Sequence, residues 1–281
     1  MTKREVACAL FSRLSGLRHQ PANRRFRSRL RFDPAAPVVI LSPHLDDAAL
    51  NCWSVLTGGG DVAVVNLFTG APRPGFVTAW DRLCGADDSA RLMAERVAED
   101  REALAREGHR PLNLGFLDIQ YRRCRPPPTF EAADEALAAH LGAASLLYAP
   151  LGARNADHRF TRRYALAVAR EGIPVRLYAD VPYSSSLGWP HWVTGEAPDP
   201  RLDVDTELAG LCASVPEIDD PRSAEAVRLG AEGAAAKLTA LRAYRTQFTA
   251  LDAGPLKVLS NPSVHPFELF WTPKPSRRSR P

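Results

Sequence analysis

The chain has 281 residues, of which 45% are hydrophobic and 24% charged; this is enough to bury one large α/β core and excludes a disordered or fibrous polypeptide. A net charge of +4 is too mild to argue for nucleic acid as a partner, and no apolar run reaches the length of an integral membrane span. Cys8, Cys52, Cys84, Cys124 and Cys212 are scattered, odd in number and free of any C-x-x-C pair, which argues against a disulfide framework and for a reducing, cytoplasmic setting.

Residues 1–32 hold eight Arg and one Lys against a single Glu. The apolar stretch Val6–Phe11 is too short for a signal-peptide core, and Arg13 interrupts it. We read 1–36 as a basic lead-in, a helix and loop packed on the domain; a loose basic tail and a targeting segment are the alternatives. Pro37–Ser42 is apolar and β-branched without polar alternation, so a buried strand is expected. A helix over Asp46–Leu56 follows, ended by Gly58-Gly59-Gly60. Asp61–Thr69 is the second strand, and the Pro- and Gly-bearing stretch Gly70–Gly85 is a loop whose length and position suggest function.

Asp87–Gly108 reads as a long amphipathic helix, with Leu92, Val97 and Leu104 as its buried stripe and Arg96, Glu99, Asp100 and Arg101 among its polar positions. A third strand covers Leu112–Leu117 and ends at Asp118. The basic, Pro-rich loop Arg122–Pro128 leads to a helix over Phe130–Leu141 and a fourth strand, Ser145–Ala149. Pro150–Asp157 is a further strand-end loop before the helix His158–Glu171. Pro174–Ala179 is the fifth strand, with a loop from Asp180 to about Pro200. The recurrence of strand and helix predicts a Rossmann-like α/β fold, a mostly parallel sheet with helices on both faces and right-handed crossovers. Beyond residue 200 a C-terminal helical and β extension is expected. It holds an edge strand at Arg201–Glu207 and one Ala-rich helix over Ser223–Phe248. One domain spans 37–272, and 273–281 is a flexible tail.

Polar residues gather where the strands end, which is where an open α/β sheet binds ligands. They are His44, Asp46 and Asp47, the Gly70 loop, Asp118, and Asn155, Asp157 and His158. His44, Asp47 and His158 together offer two nitrogens and one oxygen, and three protein ligands with an open position is the pattern of a catalytic zinc site. Asp46 is then a spare carboxylate placed to act as general base. The competing reading makes the Asp pair a helix N-cap. Gly58-Gly59-Gly60 follows a helix rather than a strand, and no G-x-G-x-x-G follows the first strand, which argues against a dinucleotide cofactor.

Ser42-Pro43-His44-Leu45-Asp46-Asp47-Ala48 resembles the PHPDD signature of the PIG-L/LmbE-like N-acetylglucosaminyl deacetylases. Asn66-Leu67-Phe68-Thr69-Gly70-Ala71-Pro72 resembles the second strand and loop of that family. Arg96-Val97-Ala98-Glu99-Asp100 resembles its R-x-x-E-D helix, and Leu117-Asp118 with Tyr121-Arg122 its third strand end. Pro150-Leu151-Gly152 through Asp157-His158-Arg159 is similar to its distal histidine motif. Tyr178-Ala179-Asp180-Val181-Pro182-Tyr183 and Tyr244-Arg245-Thr246-Gln247 are similar to later blocks. The resemblance covers roughly residues 37–272 and lies in the ordered set more than in any one motif.

The resemblance implies one Zn2+ held by His44, Asp47 and His158, with Asp46 as base, and hydrolysis of an N-acyl group from an amino sugar within a small-molecule glycoconjugate. Two departures stand out. Ala48 replaces a usual Glu, and Asn155 stands where the distal motif often has a His assigned to oxyanion stabilisation or acid catalysis. Asn155 can donate a hydrogen bond but cannot deliver a proton. Either Asp46 makes both proton transfers or another group, with His265 and His191 as candidates, supplies the acid. An inactive, metal-retaining sugar-binding module and an amidase for a different N-acyl conjugate are the alternative functions. Arg96, Asp118, Asn155 and His265 are the expected substrate-binding residues, although Arg96 could instead belong to a surface ion-pair set with Glu99 and Asp100. Trp189-Pro190-His191-Trp192 is either a sugar-stacking wall or packing. Arg122, Arg123 and Arg125 are either an anion contact or a solvated loop.

Overall fold

Val38-Val39-Ile40-Leu41 and Val62-Ala63-Val64-Val65 carry no polar alternation, so as strands they need cover on both faces. The computed structural model, which describes residues 26–122, 125–197 and 199–274, provides that cover. The chain runs through β1 (Arg31–Phe32), β2 (Val38–Ser42), α1 (Asp47–Asn51), α2 (Trp53–Leu56), β3 (Val62–Asn66), α3 (Ala79–Leu83) and α4 (Ser89–Ala105). It continues through β4 (Leu112–Asn113), α5 (Ile119–Arg122), α6 (Phe130–Ala138), β5 (Ala143–Ala144), β6 (Leu146–Pro150), α7 (Ala156–Ala169) and β7 (Val175–Tyr178). The last elements are α8 (His191–Thr194), α9 (Val204–Ala213), β8 (Glu225–Arg228), α10 (Ala231–Leu241), α11 (Arg245–Leu251) and β9 (Phe267–Trp271).

Seven strands form the central sheet in the order β4-β3-β2-β6-β7-β9-β8. The first five are parallel, with Val38 opposite Val62 on one side and Leu146 on the other. The chain leaves β2 toward β3 and β4, then returns to lay β6 on the opposite side of β2. The strand order therefore reverses between the parallel strands β2 and β6, and their carboxyl ends face a shared crevice. Ile40, Leu41, Leu147 and Leu177 lie fully buried at its centre. β1 pairs with β5 in a small separate sheet. Phe26 and Leu30 are buried in the core, and Asp134 accepts from Ser28 Oγ at 2.5 Å and Arg29 N at 2.7 Å, so residues 26–32 are fastened to α6. Residues 1–25 of the basic lead-in and residues 275–281 of the expected tail lie outside the described residues.

Several expected elements are corrected. The helix expected over Asp46–Leu56 is two helices. Trp53 N and Ser54 N donate to the Glu268 carboxylate at 2.8 and 3.0 Å, so they form a new helix start. Glu268 comes from β9, which the sequence reading did not foresee. It also takes Lys237 Nζ at 2.8 Å, and both charges are almost fully buried. β9 runs antiparallel between β7 and β8. The third strand is reduced to Leu112–Asn113 plus a bridge between Gly70 and Leu117.

The edge strand expected at Arg201–Glu207 is instead the start of α9. Asp203 caps it by accepting from Thr206 N at 3.2 Å, and Val204, Leu208, Leu211 and Cys212 are buried at helical spacing. The single helix expected over Ser223–Phe248 is β8, α10 and α11. Its first residues are drawn into the sheet by β9, a contact that no local pattern encodes. Arg96, Glu99 and Asp100, expected among the polar positions of the long helix, are 3%, 3% and 1% exposed. They follow Leu92 and Met93 along one buried stripe, and Val97 is only partly buried.

Candidate active site

The turn after β2 is built by its own polar groups. Ser42 Oγ donates to His44 O at 2.6 Å and accepts from Ala48 N at 3.2 Å. His44 N donates to Asp47 Oδ2 at 2.8 Å. This closes Ser42–Ala48 into a bend that turns the side chains of His44, Asp46 and Asp47 into the crevice, all of them buried. Asp46 occupies the N-cap position of α1, yet its side chain makes no cap hydrogen bond. The simple helix-cap reading of the Asp pair therefore fails for Asp46.

His158 arrives from the neighbouring strand end. Gly152 makes that possible: its φ is +67°, and a Cβ there would stand 2.8 Å from His158 O, so the loop after β6 can cross the first turn of α7 only with glycine. Asn155 caps α7, its side chain accepting from Asp157 N at 2.8 Å. The result brings together three residues that the sequence separates by up to 114 positions. His44 Nδ1 lies 3.5 Å from Asp47 Oδ2, His158 Nε2 lies 3.4 Å from the same oxygen, and the two ring nitrogens are 3.2 Å apart.

Donors about 2.0–2.2 Å from a tetrahedral metal stand roughly 3.3–3.6 Å from one another, so the spacing of these three atoms fits a small divalent ion. The far side of each imidazole fits too. His158 Nδ1 lies 3.1 Å from Asp180 Oδ2, which also accepts from Gly152 N at 3.1 Å. His44 Nε2 lies 3.4 Å from Asp157 Oδ2 and 3.6 Å from Asp118 Oδ2. Asp157 is itself held by Arg122 Nη2 at 2.5 Å and Ile119 N at 2.8 Å. With a carboxylate behind each ring, the tautomers are set so that His44 Nδ1 and His158 Nε2 present lone pairs to the centre. His44, Asp118 and Asp157 also converge, but the commitment of Asp157 to Arg122 makes that set the backing of His44.

The electrostatics agree with this division of roles. Burial pulls the His44 pKa down, but Asp118, Asp157 and Asp47 outweigh it and push it well above the ordinary value. Burial likewise lowers the His158 pKa, and Asp47 and Asp180 more than reverse that. A field that favours a proton on both rings favours a cation between them. Asp47 is opposed by burial, yet His158 and His44 hold its carboxyl below the usual range. Asp46 goes the other way: burial first, then the Asp47 charge, push it up to about 6.

A cavity of about 210 Å³ opens beside this cluster, lined among others by Asp46, Arg96, Asp118, Asn155, Trp80 and Tyr183. Arg96 reaches it from the middle of α4. Its guanidinium has no hydrogen-bond or ion-pair partner among the described residues, and its Nε is buried without one. The expected surface ion-pair set is therefore corrected. Glu99 instead accepts from Thr246 N and Oγ1 at 3.0 and 2.7 Å, and Asp100 from Tyr244 Oη and Asn66 Nδ2 at 2.8 and 2.7 Å. The α4 and α11 motifs thus clasp one another, and Gln247 Nε2 reaches Leu45 O at 3.2 Å.

Of the expected site residues, His44, Asp46, Asp47, His158, Arg96, Asp118 and Asn155 meet at the cavity, and His265 does not. Its Nδ1 lies 2.9 Å from Asn261 O, within its own loop. His191 is exposed on α8, away from the lining. Trp189 is buried and donates Nε1 to Val264 O at 3.0 Å, so packing is its role. Arg122 is buried against Asp157 rather than solvated, Arg125 is exposed, and Arg123 lies outside the described residues. Among the residues the sequence reading passed over, Asp180 carried a usable signal, since it ends a parallel strand at the same sheet edge. Tyr183 stood in the Tyr178–Tyr183 block with no role assigned to it, and Trp80 carried no signal. The described cysteines, Cys52, Cys84 and Cys212, are free, and no helix among the described residues is long and apolar enough to cross a membrane.

No protein-family model and no curated protein matches the chain. Solved structures do. The chain is similar to the A40926 pseudoaglycone deacetylase at 25% identity and a TM-score of 0.60, over 85% of this chain and 97% of that one. It is similar to a triple mutant of the deacetylase of teicoplanin biosynthesis at 26% identity and 0.61, over 87% and 100%. A zinc-inhibited form of the teicoplanin deacetylase aligns over the same shares at 21% identity and 0.61. The chain has the fold of these LmbE/PIG-L deacetylases, a mixed α/β architecture with a mostly parallel central sheet flanked by helices.

Proposed function

We propose that this chain is a divalent-metal-dependent hydrolase, with zinc as the metal, that removes an acetyl or other acyl group from an N-acyl amino sugar carried on a glycoconjugate. The observation that carries the proposal is Asp46. It is a buried carboxylate at a helix start whose side chain caps nothing and makes no hydrogen bond or close ion pair among the described residues, and it opens on a cavity beside a His/Asp/His set. A pure binding module gives such a carboxylate no task. Similarity to deacetylases of the glycopeptide antibiotics A40926 and teicoplanin supports both the reaction class and a glycoconjugate substrate.

His44, Asp47 and His158 would hold the metal, and two nitrogens with one oxygen suit zinc. Zinc bound there supplies Lewis-acid polarisation of the amide carbonyl and acidifies water at neutral pH. Asp157 and Asp180 fix the tautomer and the aim of the two imidazoles. An Asp46 oxygen takes the proton of the attacking water while the water oxygen bonds to the acyl carbon. The C–N bond then breaks, and Asp46 returns that proton to the leaving nitrogen, giving a carboxylic acid and an amine, which leave as carboxylate and ammonium. Asn155 cannot make that second transfer, and His265 and His191 stand elsewhere. Arg96, with its unmatched donors, and Asp118, an acceptor, are a complementary pair for neighbouring sugar hydroxyls. Neutral hydroxyls suit the site better than an anion, because Asp46 and Asp118 are the strongest charges acting on Arg96.

The test is acetate release from N-acetylglucosamine conjugates by zinc-loaded protein, with Asp46→Asn as control. We expect the variant to bind the same amount of metal and to lose about 10²–10⁴-fold in kcat. Equal rates for the two proteins would remove the base. Release from unrelated N-acyl amides but from no amino sugar would move the substrate class to the amidase alternative.

A further inference from the structure

If the chain is a deacetylase as proposed above, its site needs a donor for the carbonyl oxygen, which gains charge as water adds. Asn155 occupies the position from which such a donor would be expected, but its groups are committed. Its Oδ1 accepts from Asp157 N at 2.8 Å to cap α7, and its Nδ2 donates to Tyr183 Oη at 3.3 Å. Tyr183 follows β7 and Asp180, the residue that backs His158. Its ring stands edge-on to the His158 imidazole, with centroids 5.2 Å apart at 84°. That contact fixes the ring, and the Asn155 amide occupies one lone pair of the hydroxyl. The hydroxyl hydrogen has no acceptor among the described residues, and Tyr183 lines the cavity. That hydrogen is free to be donated to a ligand in the cavity that Tyr183 lines. Arg96 is another unmatched donor at the cavity, but Asp46 and Asp118 are the strongest charges acting on it, so its charge is set against the base.

We infer that Tyr183 is the oxyanion donor of this site and that Asn155 is its positioning residue. The phenol keeps its proton throughout. It hydrogen-bonds to the carbonyl oxygen more strongly as the acyl carbon becomes tetrahedral, and both proton transfers stay with Asp46. An Asn serves here where a proton-bearing His does not, because its task is to hold the Tyr183 oxygen and leave the Tyr183 hydrogen free.

Tyr183→Phe tests this in the zinc-loaded enzyme. We expect kcat to fall about 10²–10³-fold, with KM within about threefold and metal content unchanged. Affinity for a methylphosphonamidate analogue of the N-acetyl sugar, a tetrahedral anion, should weaken by the same factor as kcat/KM. Affinity for the free amino sugar should not change. Asn155→Ser retains a capping oxygen but cannot reach Tyr183. It should lower kcat on its own and do nothing further in the Tyr183→Phe background. A Tyr183→Phe enzyme within threefold of wild type, or one with unchanged phosphonamidate affinity, overturns the assignment of Tyr183. Additive losses in the double variant overturn the role of Asn155. Wild-type protein that releases no acetate overturns the deacetylase reading and this inference with it, whereas failure at Tyr183 alone leaves that reading standing.

Discussion

Replacing Asp180 by Asn isolates the contribution of the charge behind His158. Asp180 is fully buried. One oxygen takes both His158 Nδ1 and Gly152 N at 3.1 Å, and the other takes Ser184 Oγ at 2.8 Å. The amide is the same size, so the packing survives. Its oxygen can still accept from Gly152 N or from the imidazole, but the bond to the imidazole is no longer charge-assisted. Hydrogen bonds to charged groups contribute about 1.5–3 kcal/mol against about 0.5–1.5 for neutral ones, a difference of roughly 1–1.5 kcal/mol. Loss of a carboxylate behind a metal-bound His weakens metal binding about 10–100-fold, which is about 1.4–2.7 kcal/mol. The two routes meet near a 10-fold effect. Chelator competition with the metal-free protein measures it at fixed pH, and thermal melting of the metal-free variant checks that it folds. A metal Kd within twofold of wild type would mean that the Asp180 contact is a packing feature and does not aim His158.

Two further predictions follow from buried charge. Arg96→Met removes a guanidinium that has no hydrogen-bond partner among the described residues, so unfolding by urea should be unchanged or harder. KM for the amino sugar should rise about 10–100-fold, the value of charge-assisted bonds to substrate hydroxyls; a destabilised variant with an unchanged KM would contradict this. The Asp100 carboxyl is pushed up to about 7 by burial, against its hydrogen bonds from Tyr244 and Asn66. The folded protein therefore keeps a proton that the unfolded chain releases near pH 4. The stability this contributes is full below about pH 4 and is lost as pH rises through about 7. The unfolding free energy of wild type minus that of Asp100→Asn should fall across that window, by at most about 1.4 kcal/mol per pH unit, and level off above it. Parallel pH curves would refute the shift.

How much of the chain could be read beforehand depended on the distance over which each feature is decided. Runs such as Val62–Val65, and the bend in Ser42–Ala48 closed by its own hydroxyl and carboxylate, are local, and the sequence displays both. Leu92, Met93, Arg96, Glu99 and Asp100 have helical spacing, but spacing alone does not say that the charged members of the stripe face inward. That is decided by Tyr244 and Thr246, which reach Glu99 and Asp100 from more than 140 residues away. The break at Cys52 has the same origin, since Glu268 from β9 takes the Trp53 and Ser54 amides. The residues over 223–248 had the composition of one helix and became three elements, because β9 offered part of them an edge to pair with.

The sequence by itself determined the strand-end chemistry: two carboxylates and an imidazole after β2, and a second imidazole after β6. Residue type and local spacing specify those groups, and a strand end in a parallel sheet leaves them unpaired by the ladder. Only the tertiary structure decided what they do. The strand order set β2 beside β6 and so brought three ligand atoms within 3.5 Å of one another. It placed Asp157 and Asp180 behind the two rings, left the Asp46 and Arg96 side chains at the cavity without a hydrogen-bond partner among the described residues, and set Tyr183 in its lining. Strand order is settled by which apolar faces bury one another across the whole chain, and no short stretch of residues carries that information.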